Sequence, residues 1–343
     1  MKKIILGKTG LAVSKPAFGA LPIQRTDKAE AVRILRRAVE GGITFFDTAN
    51  AYTDSEEKLG AAFSGGLREQ VILATKSGAR DKKTCAEHID TSLRRLQTDH
   101  IDLFQFHFVK EIPDPNDPDG AFAAALEAKA AGKLCHIGVT THDISLAFEL
   151  AKSGLFETLQ FPFSYLSGER ELALIQLCAE QNVGFIAMKG LAGGLLNNAR
   201  ACHVFMDQME TVVPIWGIQY MHELEQWLAL AEEAPALDDE LRAVIEADRK
   251  ALSGSFCRGC GYCEPCPAGI EIHSCARMNM LLRRSPWQPY LSDEWHEKMH
   301  RIENCLHCGR CKTKCPYGLD AEQLLPRMLE DYDAFYAAHK PLL

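Results

Sequence analysis

Two periodicities alternate along the first ~235 residues of the chain. Apolar runs of five to eight residues recur as "PAFGA", "ITFFDTA", "VILATKS", "IDLFQFHF", "CHIGVTTH", "TLQFPFS", "VGFIAMKG" and "TVVPIWGI". Between them lie stretches such as "DKAEAVRILRRAVEGG", "CAEHIDTSLRRLQ", "ISLAFELAKSG" and "ELALIQLCAEQN". In these, apolar residues fall at i, i+3 and i+4, the stripe of a helix with one buried face, and two of them end in glycine. The strand-like runs are apolar on both sides of the pleat, so both faces of their sheet must be covered. That predicts a parallel sheet with helical crossovers. Eight such units predict an α/β fold, a closed (β/α)8 TIM barrel. A doubly wound open sheet is the alternative, and no G-x-G-x-x-G follows the first strand to support it.

Beyond residue 236 the composition changes. Nine of the thirteen cysteines fall from Cys257 to Cys315, while Cys85, Cys135, Cys178 and Cys202 are scattered upstream. The charged, helix-prone "LDDELRAVIEADRKALSGS" ends in a Ser-Gly-Ser break just before Cys257. We therefore expect a barrel over 1–236, a linker helix over 237–254 and a small, mostly helical cysteine-rich domain over 255–343. Its first arm, "CRGCGYCEPCP", spaces Cys257, Cys260, Cys263 and Cys266 two residues apart. The second, "CLHCGRCKTKCP", places three residues between Cys311 and Cys315 and reads C-x2-C-x2-C-x3-C-P. This is the bacterial ferredoxin spacing, in which three thiolates hold one cubane and the fourth reaches another cluster. Two arms predict two 4Fe-4S clusters. Structural zinc is the alternative, although zinc sites built from four cysteines use two separated C-x2-C pairs. Cys275 is expected to be a buried or incidental thiol rather than a ninth ligand.

The bulk numbers narrow the function classes. A chain with 47% hydrophobic and 24% charged residues has the composition of a folded protein. The net charge of −8 argues against nucleic acid as a partner, since phosphate binding draws on a Lys/Arg surplus. No stretch approaches the ~20 apolar residues of a membrane helix, and the N-terminus lacks a signal-peptide pattern. The expectation is a cytoplasmic protein whose cysteines are thiols and metal ligands rather than disulfides.

In a barrel of this kind, chemistry belongs at the C-terminal ends of the strands. Asp47 ends "FFD", Lys76 ends "ILATK", His107 ends "LFQFH", and Tyr52 follows Asp47 by five residues. A lone strand-end Asp, Lys or His is most often a solvated or packed residue. Four polar residues at three consecutive strand ends, Tyr52 in the loop after the first, suggest a site.

With these residues in hand, "FFDTANAYTDSEEKLG", "ILATKS" and "DLFQFHF" resemble the signature segments of the aldo-keto reductases, NAD(P)H-dependent carbonyl reductases. The likeness runs from "LGKTGLAVSKPAFGA" to about residue 230. It implies a catalytic tetrad of Asp47, Tyr52, Lys76 and His107. A carbonyl that receives hydride develops alkoxide charge, so the site needs a proton donor and hydrogen-bond donors aimed at that oxygen. Tyr alone is a weak acid, with an ordinary pKa of ~10. A lysine ammonium ~4 Å from the phenol would favour the phenolate by up to roughly 4 kcal/mol at an effective dielectric of ~20, or about three pKa units. Asp47 would hold Lys76 charged and temper that lowering, and His107 would be a second donor to the substrate oxygen.

The resemblance also implies cofactor contacts at Gly19, Thr140, Thr141, Gln160, Met188, Lys189 and Gly217. Thr140 and Thr141 stand where the family has a Ser-Asn pair, and Met188 stands where an aromatic residue is usual. Gly217 and the helix after it are expected to receive phosphate oxygens. Glu223 and Trp227 align with the family's basic and Asn positions there. A carboxylate repels a 2′-phosphate, so NADH gains over NADPH.

The cysteine domain resembles the ferredoxin-like tail of one aldo-keto reductase branch. That likeness implies crossed ligation. Cys257, Cys260 and Cys263 would share a cluster with Cys315, and Cys305, Cys308 and Cys311 would share one with Cys266. If each arm closed on itself, the unequal gaps would be harder to explain. The expected function is an oxidoreductase acting on a small-molecule carbonyl or alcohol, with an electron-transfer protein as a possible partner. The alternatives are a ferredoxin-dependent redox enzyme without nicotinamide and a protein that senses cofactor and redox state.

Overall fold

The computed structural model of the chain describes residues 1–252, 256, 257, 259, 261, 263–284, 286–315 and 318–340. It divides into two compact units, Met1–Gly190 with Ala199–Arg242, and Leu191–Asn198 with Ala243–Leu343.

The first unit opens with an antiparallel hairpin, β1 (Lys2–Ile5) and β2 (Ala12–Lys15). Eight parallel strands follow and close into a barrel, with the last hydrogen-bonded to the first. They are β3 (Ala17–Gly19), β4 (Phe45–Asp47), β5 (Ile72–Ser77), β6 (Ile101–Phe106), β7 (Leu134–Thr140), β8 (Thr158–Pro162), β9 (Gly184–Met188) and β10 (Val212–Gly217). Seven of the eight apolar runs contain one of these strands, and the eighth, "CHIGVTTH", holds all of β7 but Leu134. After each strand comes a helix: α1 (Lys28–Glu40), α2 (Ser55–Phe63), α3 (Lys82–Leu96), α4 (Ala121–Ala130), α5 (Ile144–Lys152), α6 (Glu169–Glu180), α7 (Ala199–Asp207) and α8 (Met221–Glu233).

Local chemistry starts these helices. Asp27, Asp81 and Asp143 accept from backbone N–H groups in the first turns of α1, α3 and α5, which satisfies donors a helix leaves unpaired. The apolar stripe of α1 then buries Ala31, Ile34, Leu35 and Ala38. At the N-terminal end of the barrel the hairpin forms a floor. Leu6 and Val13 pack with Phe45, Ala74, Leu103, Ile186 and Val213 of the strands.

The second unit includes the end of α9 (Asp239–Ala251) and the helices α10 (Ile272–Cys275), α11 (Met278–Arg284), α12 (Asp293–His300), α13 (Arg310–Lys314) and α14 (Ala321–His339). Its described residues contain no strand. Cys275, Met278, Leu282, Met299, Ile302, Leu325 and Tyr332 form its core. No helix among the described residues is long and apolar enough to cross a membrane.

The barrel floor is open to a direct test. Leu6 is 1% exposed, and Leu6→Ala should destabilise the barrel by about 2–4 kcal/mol in urea denaturation. A loss under about 0.5 kcal/mol would mean that the hairpin contributes little to the barrel.

Candidate functional site

The strand registers determine which side chains meet. Asp47 of β4 pairs with Ala74 of β5, and Lys76 of β5 pairs with Gln105 of β6. Lys76 Nζ donates to Asp47 Oδ1 at 2.6 Å and to the Thr48 carbonyl at 2.5 Å. Gln105 Nε2 donates to Asp47 Oδ2 at 3.0 Å. Lys76 and Asp47 are 1% and 2% exposed, so this is an ion pair removed from water. Tyr52 lies in the loop after β4, where its backbone N–H donates to Ala49 O and its carbonyl accepts from Ser55 N. The Lys76 ammonium is 5.1 Å from the centroid of the Tyr52 ring. His107, one residue beyond β6, meets the same ring edge-on with centroids 5.8 Å apart. Asp47, Lys76 and His107 at the strand ends and Tyr52 in the loop after β4 thus lie together.

The electrostatics follow from burial and the ion pair. Burial pushes the Asp47 carboxyl up, while Lys76 and the amides of Gln105 and Gln160 pull it back. Burial works against the Lys76 charge too, but Asp47 and then Tyr52 overbalance it and raise the ammonium above its ordinary value. Both oxygens of Asp47 accept, and Lys76 has two acceptors, so we read the pair as ionised. For Tyr52 the expected lowering is reversed. Burial raises the phenol above its ordinary value, and the Lys76 charge only partly offsets this because Asp47 lies beside it. Tyr52 therefore remains a protonated donor at neutral pH. Burial, with Lys76 and Arg80, lowers His107 to about 3, so its imidazole is neutral.

The sequence did not single out the groups that brace this site. Gln105 stands two residues before His107, on the same face of β6, and that period is the signal that would have found it. Arg80 donates to the carbonyls of His107 and Phe108 at 3.0 and 2.9 Å. Phe108 has φ +55°, in the left-handed region, and its N–H donates to Thr140 Oγ1 at 2.8 Å.

The residues assigned to a nicotinamide cofactor lie on several strand ends. Gly19 pairs with both Asp47 and Gly217 across neighbouring strands, and a Cβ on it would come within 3.1 Å of the Trp216 carbonyl. Met188 ends β9, and Lys189 follows with φ +58°. The Thr141 hydroxyl donates to Val109 O and accepts from Asp143 N. Buried Gln160 Oε1 has no hydrogen-bond partner among the described residues. It is an acceptor suited to a carboxamide N–H, so the nicotinamide end fits. The start of α8 is different. Glu223 Oε2 accepts from Gln219 N at 2.7 Å and Tyr220 N at 3.0 Å. The backbone donors expected to meet phosphate therefore already hold the chain's own carboxylate. Trp227 is buried with its ring stacked on Trp216 at 4.0 Å between centroids.

In the second unit a cavity is lined by Cys263 and Cys266 of the first arm and by Cys305, Cys308 and Cys311 of the second, with Ile270, Ile272 and Leu325 as apolar walls. Five thiols around one cavity are a donor set suited to an iron–sulfur cluster. Cys257 Sγ accepts from Gly259 N, and Cys315 Sγ accepts from Leu319 N, each at 3.4 Å. Cys260 lies outside the described residues. Cys275 is fully buried in the helical core, and burial pushes its thiol up to about 12.

Comparison with known proteins agrees with this architecture. The model of the "Aldo/keto reductase family" matches residues 3–244, and that of the "4Fe-4S dicluster domain" matches residues 256–320. The chain belongs to the aldo/keto reductase family and carries a C-terminal 4Fe-4S dicluster domain. It is an oxidoreductase, of a family that acts on small-molecule carbonyl compounds. It is 34% identical over 227 residues to the uncharacterized oxidoreductase YrpG of Bacillus subtilis (strain 168), covering 57% of this chain and 68% of that protein. To the aldo-keto reductase YhdN of the same organism it is 31% identical over 215 residues, covering 57% of this chain and 64% of YhdN. Among solved structures, the holo form of aldo-keto reductase AKR11C1 from Bacillus halodurans matches at TM-score 0.63 and 26% identity, covering 72% of this chain and 96% of that one. The fold is also shared with an aldo-keto reductase from Klebsiella pneumoniae solved in complex with NADPH, at TM-score 0.60 and 24% identity over 72% of this chain and 94% of that one.

The buried pair predicts an asymmetry between single and double variants. Asp47→Asn leaves an uncompensated ammonium and should cost about 3–5 kcal/mol in urea denaturation, whereas Asp47→Asn with Lys76→Met should recover most of that loss. Equal losses would show that Lys76 is not held charged by Asp47.

Proposed function

We propose that the chain reduces a small carbonyl compound, or oxidises the corresponding alcohol, with a nicotinamide dinucleotide, NADH before NADPH. In this reading residues 1–236 form the catalytic barrel, 237–254 a linker helix and 255–343 the cluster domain. The observation that carries it is the buried Asp47–Lys76 pair set against a protonated Tyr52 and a neutral His107.

The hydride for the carbonyl carbon is the chemistry that bound nicotinamide supplies, with Gly19, Thr140, Thr141, Gln160, Met188, Lys189 and Gly217 as the residues that would hold the cofactor. The carbonyl oxygen takes its proton from Tyr52. Once the phenol has given up that proton, the Lys76 ammonium stabilises the phenolate, so the charge cost of the transfer falls in the product state. His107, being neutral, keeps an N–H to donate to the same oxygen. Asp47 holds Lys76 in place and cationic, and Gln105 fixes the carboxylate. Glu223 at the start of α8 supports the NADH preference, because its charge would face the 2′-phosphate of NADPH.

The filled start of α8 also favours a second reading, a ferredoxin-dependent redox enzyme that uses the barrel without nicotinamide. Calorimetric titration separates the two. Heat with NADH and less with NADPH supports the first, and heat with neither overturns it. Given NADH binding, Tyr52→Phe should lose about 10²–10⁴-fold in carbonyl reduction and keep its affinity for NADH. Full activity in that variant would remove Tyr52 as the acid.

For the cysteine domain we propose two 4Fe-4S clusters with crossed ligands, Cys305, Cys308 and Cys311 with Cys266, and Cys257, Cys260 and Cys263 with Cys315. The cavity brings Cys266 together with Cys305, Cys308 and Cys311, as the crossing requires, and Cys263 lines it as well. Each cluster ordinarily passes one electron, so a pair could exchange two electrons stepwise with an electron-transfer protein. Anaerobically purified protein should contain about eight irons per chain with matching sulfide, the content of two cubanes. About four irons would reduce the assignment to one cluster.

A further inference from the structure

The second unit contains a group of metal-ligating side chains apart from the cysteines. In α12 the sequence "HEKMH" places His296 and His300 four residues apart, on one face of the helix. Ser292 caps the start of that helix by accepting from Trp295 N. Across from it, α14 contributes Asp333. One ring nitrogen from each histidine and one carboxylate oxygen lie within 4.8 Å of one another. His300 Nε2 and Asp333 Oδ1 are already 3.1 Å apart. This is close to the ~3.3 Å edge of a tetrahedron with ~2.0 Å metal–ligand bonds.

We propose that His296, His300 and Asp333 bind one divalent transition-metal ion, Zn²⁺ foremost, that clips α12 to α14. Three further features favour a ligand site over a chance meeting of polar groups. His300 Nδ1 faces Glu303 Oε1 at 3.2 Å, the outer carboxylate that commonly orients a metal-bound imidazole. Buried His296 Nδ1 has no hydrogen-bond partner among the described residues, an unusual state for a buried ring nitrogen. The face of the His296 ring stacks on Tyr336 at 4.4 Å between centroids, which fixes the ring plane and leaves its edge for a ligand. Two imidazoles and a carboxylate suit zinc and also iron(II), and three protein ligands leave a further coordination position. Glu297, inside the H-E-x-x-H spacing, would be the base of a hydrolytic zinc site. Here it is exposed and bonded to Arg301 at 2.9 Å, so the proposal stops at a metal that holds two helices together.

The test uses anaerobic holoprotein with its iron quantified before and after titration with Zn²⁺ and, separately, Fe²⁺. Wild-type protein should take up about one Zn²⁺ per chain without losing iron. Co²⁺ in its place should give visible d–d bands in the difference spectrum against His296→Ala. His296→Ala and Asp333→Asn should each weaken Zn²⁺ binding about a hundredfold at unchanged iron content. Glu303→Gln should weaken it about tenfold, in line with loss of an outer-shell partner, and Glu297→Gln should leave it unaltered. If His296→Ala also loses iron, Asp333→Asn, which keeps both rings, decides by the same comparison. No zinc uptake by wild type, equal uptake by wild type and the ligand variants, or uptake only as iron is lost to the cysteines would each overturn the site. Stronger retention of Fe²⁺ than Zn²⁺ at the same three residues would overturn the choice of zinc.

Discussion

Where β4 and β5 end, an ammonium and a carboxylate that have both left water meet at 2.6 Å. Removing each from solvent costs several kcal/mol, and only close contact with further hydrogen bonds offsets that cost. The barrel meets the requirement through register. Lys76 is level with Gln105 and lies two residues beyond Ala74, the partner of Asp47, so the three side chains meet on one face, and the Thr48 carbonyl takes a second ammonium proton. The pair then governs its neighbours. Burial first, and then its cation, keep His107 neutral, while burial first, and then its anion, outweigh that cation's pull on the Tyr52 phenol. A phenol that stays protonated at neutral pH is a consequence of this balance.

The cysteine domain meets a different constraint with the same logic. Its helices α10 and α13 span four and five residues, too short to be stable alone, and α13 is the only helix among the described residues of its two arms. Metal coordination is the kind of interaction that organises such segments, because binding free energy becomes folding free energy. The cavity between the arms, walled by Ile270, Ile272 and Leu325, brings thiols from both arms together. The apolar core that includes Leu325, Met328 and Tyr332 of α14 adds hydrophobic burial to this unit.

Much of the architecture was legible because parallel strands buried on both faces read as continuous apolar runs, and each of the eight runs overlaps one strand. The hairpin β1–β2 was not anticipated, since its residues are largely exposed on β1 and carry no alternating pattern. Nor was α4, whose alanine-rich "AFAAALEAKA" has no distinct stripe. Asp47, Lys76 and His107 could be found because polar residues at barrel strand ends are conspicuous. The acidity of Tyr52 could not, because its direction depends on burial against charge in three dimensions. Glu223 was noted as a carboxylate but not as a cap, which needs the backbone path before α8. Asp333 lies on a helix far in sequence from "HEKMH", so no spacing rule links it to the two histidines.

The central claim is that Tyr52 acts as a proton donor whose pKa lies above its ordinary value. The pH dependence of a single-turnover carbonyl reduction tests it most directly. Reduction needs the protonated phenol, so a raised pKa keeps the rate level from weakly acid pH through neutrality, and the rate falls only above the ordinary phenol value of ~10. Because His107 stays neutral above about 3, it adds no step in that range. A rate that falls as pH rises between about 7 and 9 would show a phenol acidified by Lys76 and would contradict the electrostatic balance described here.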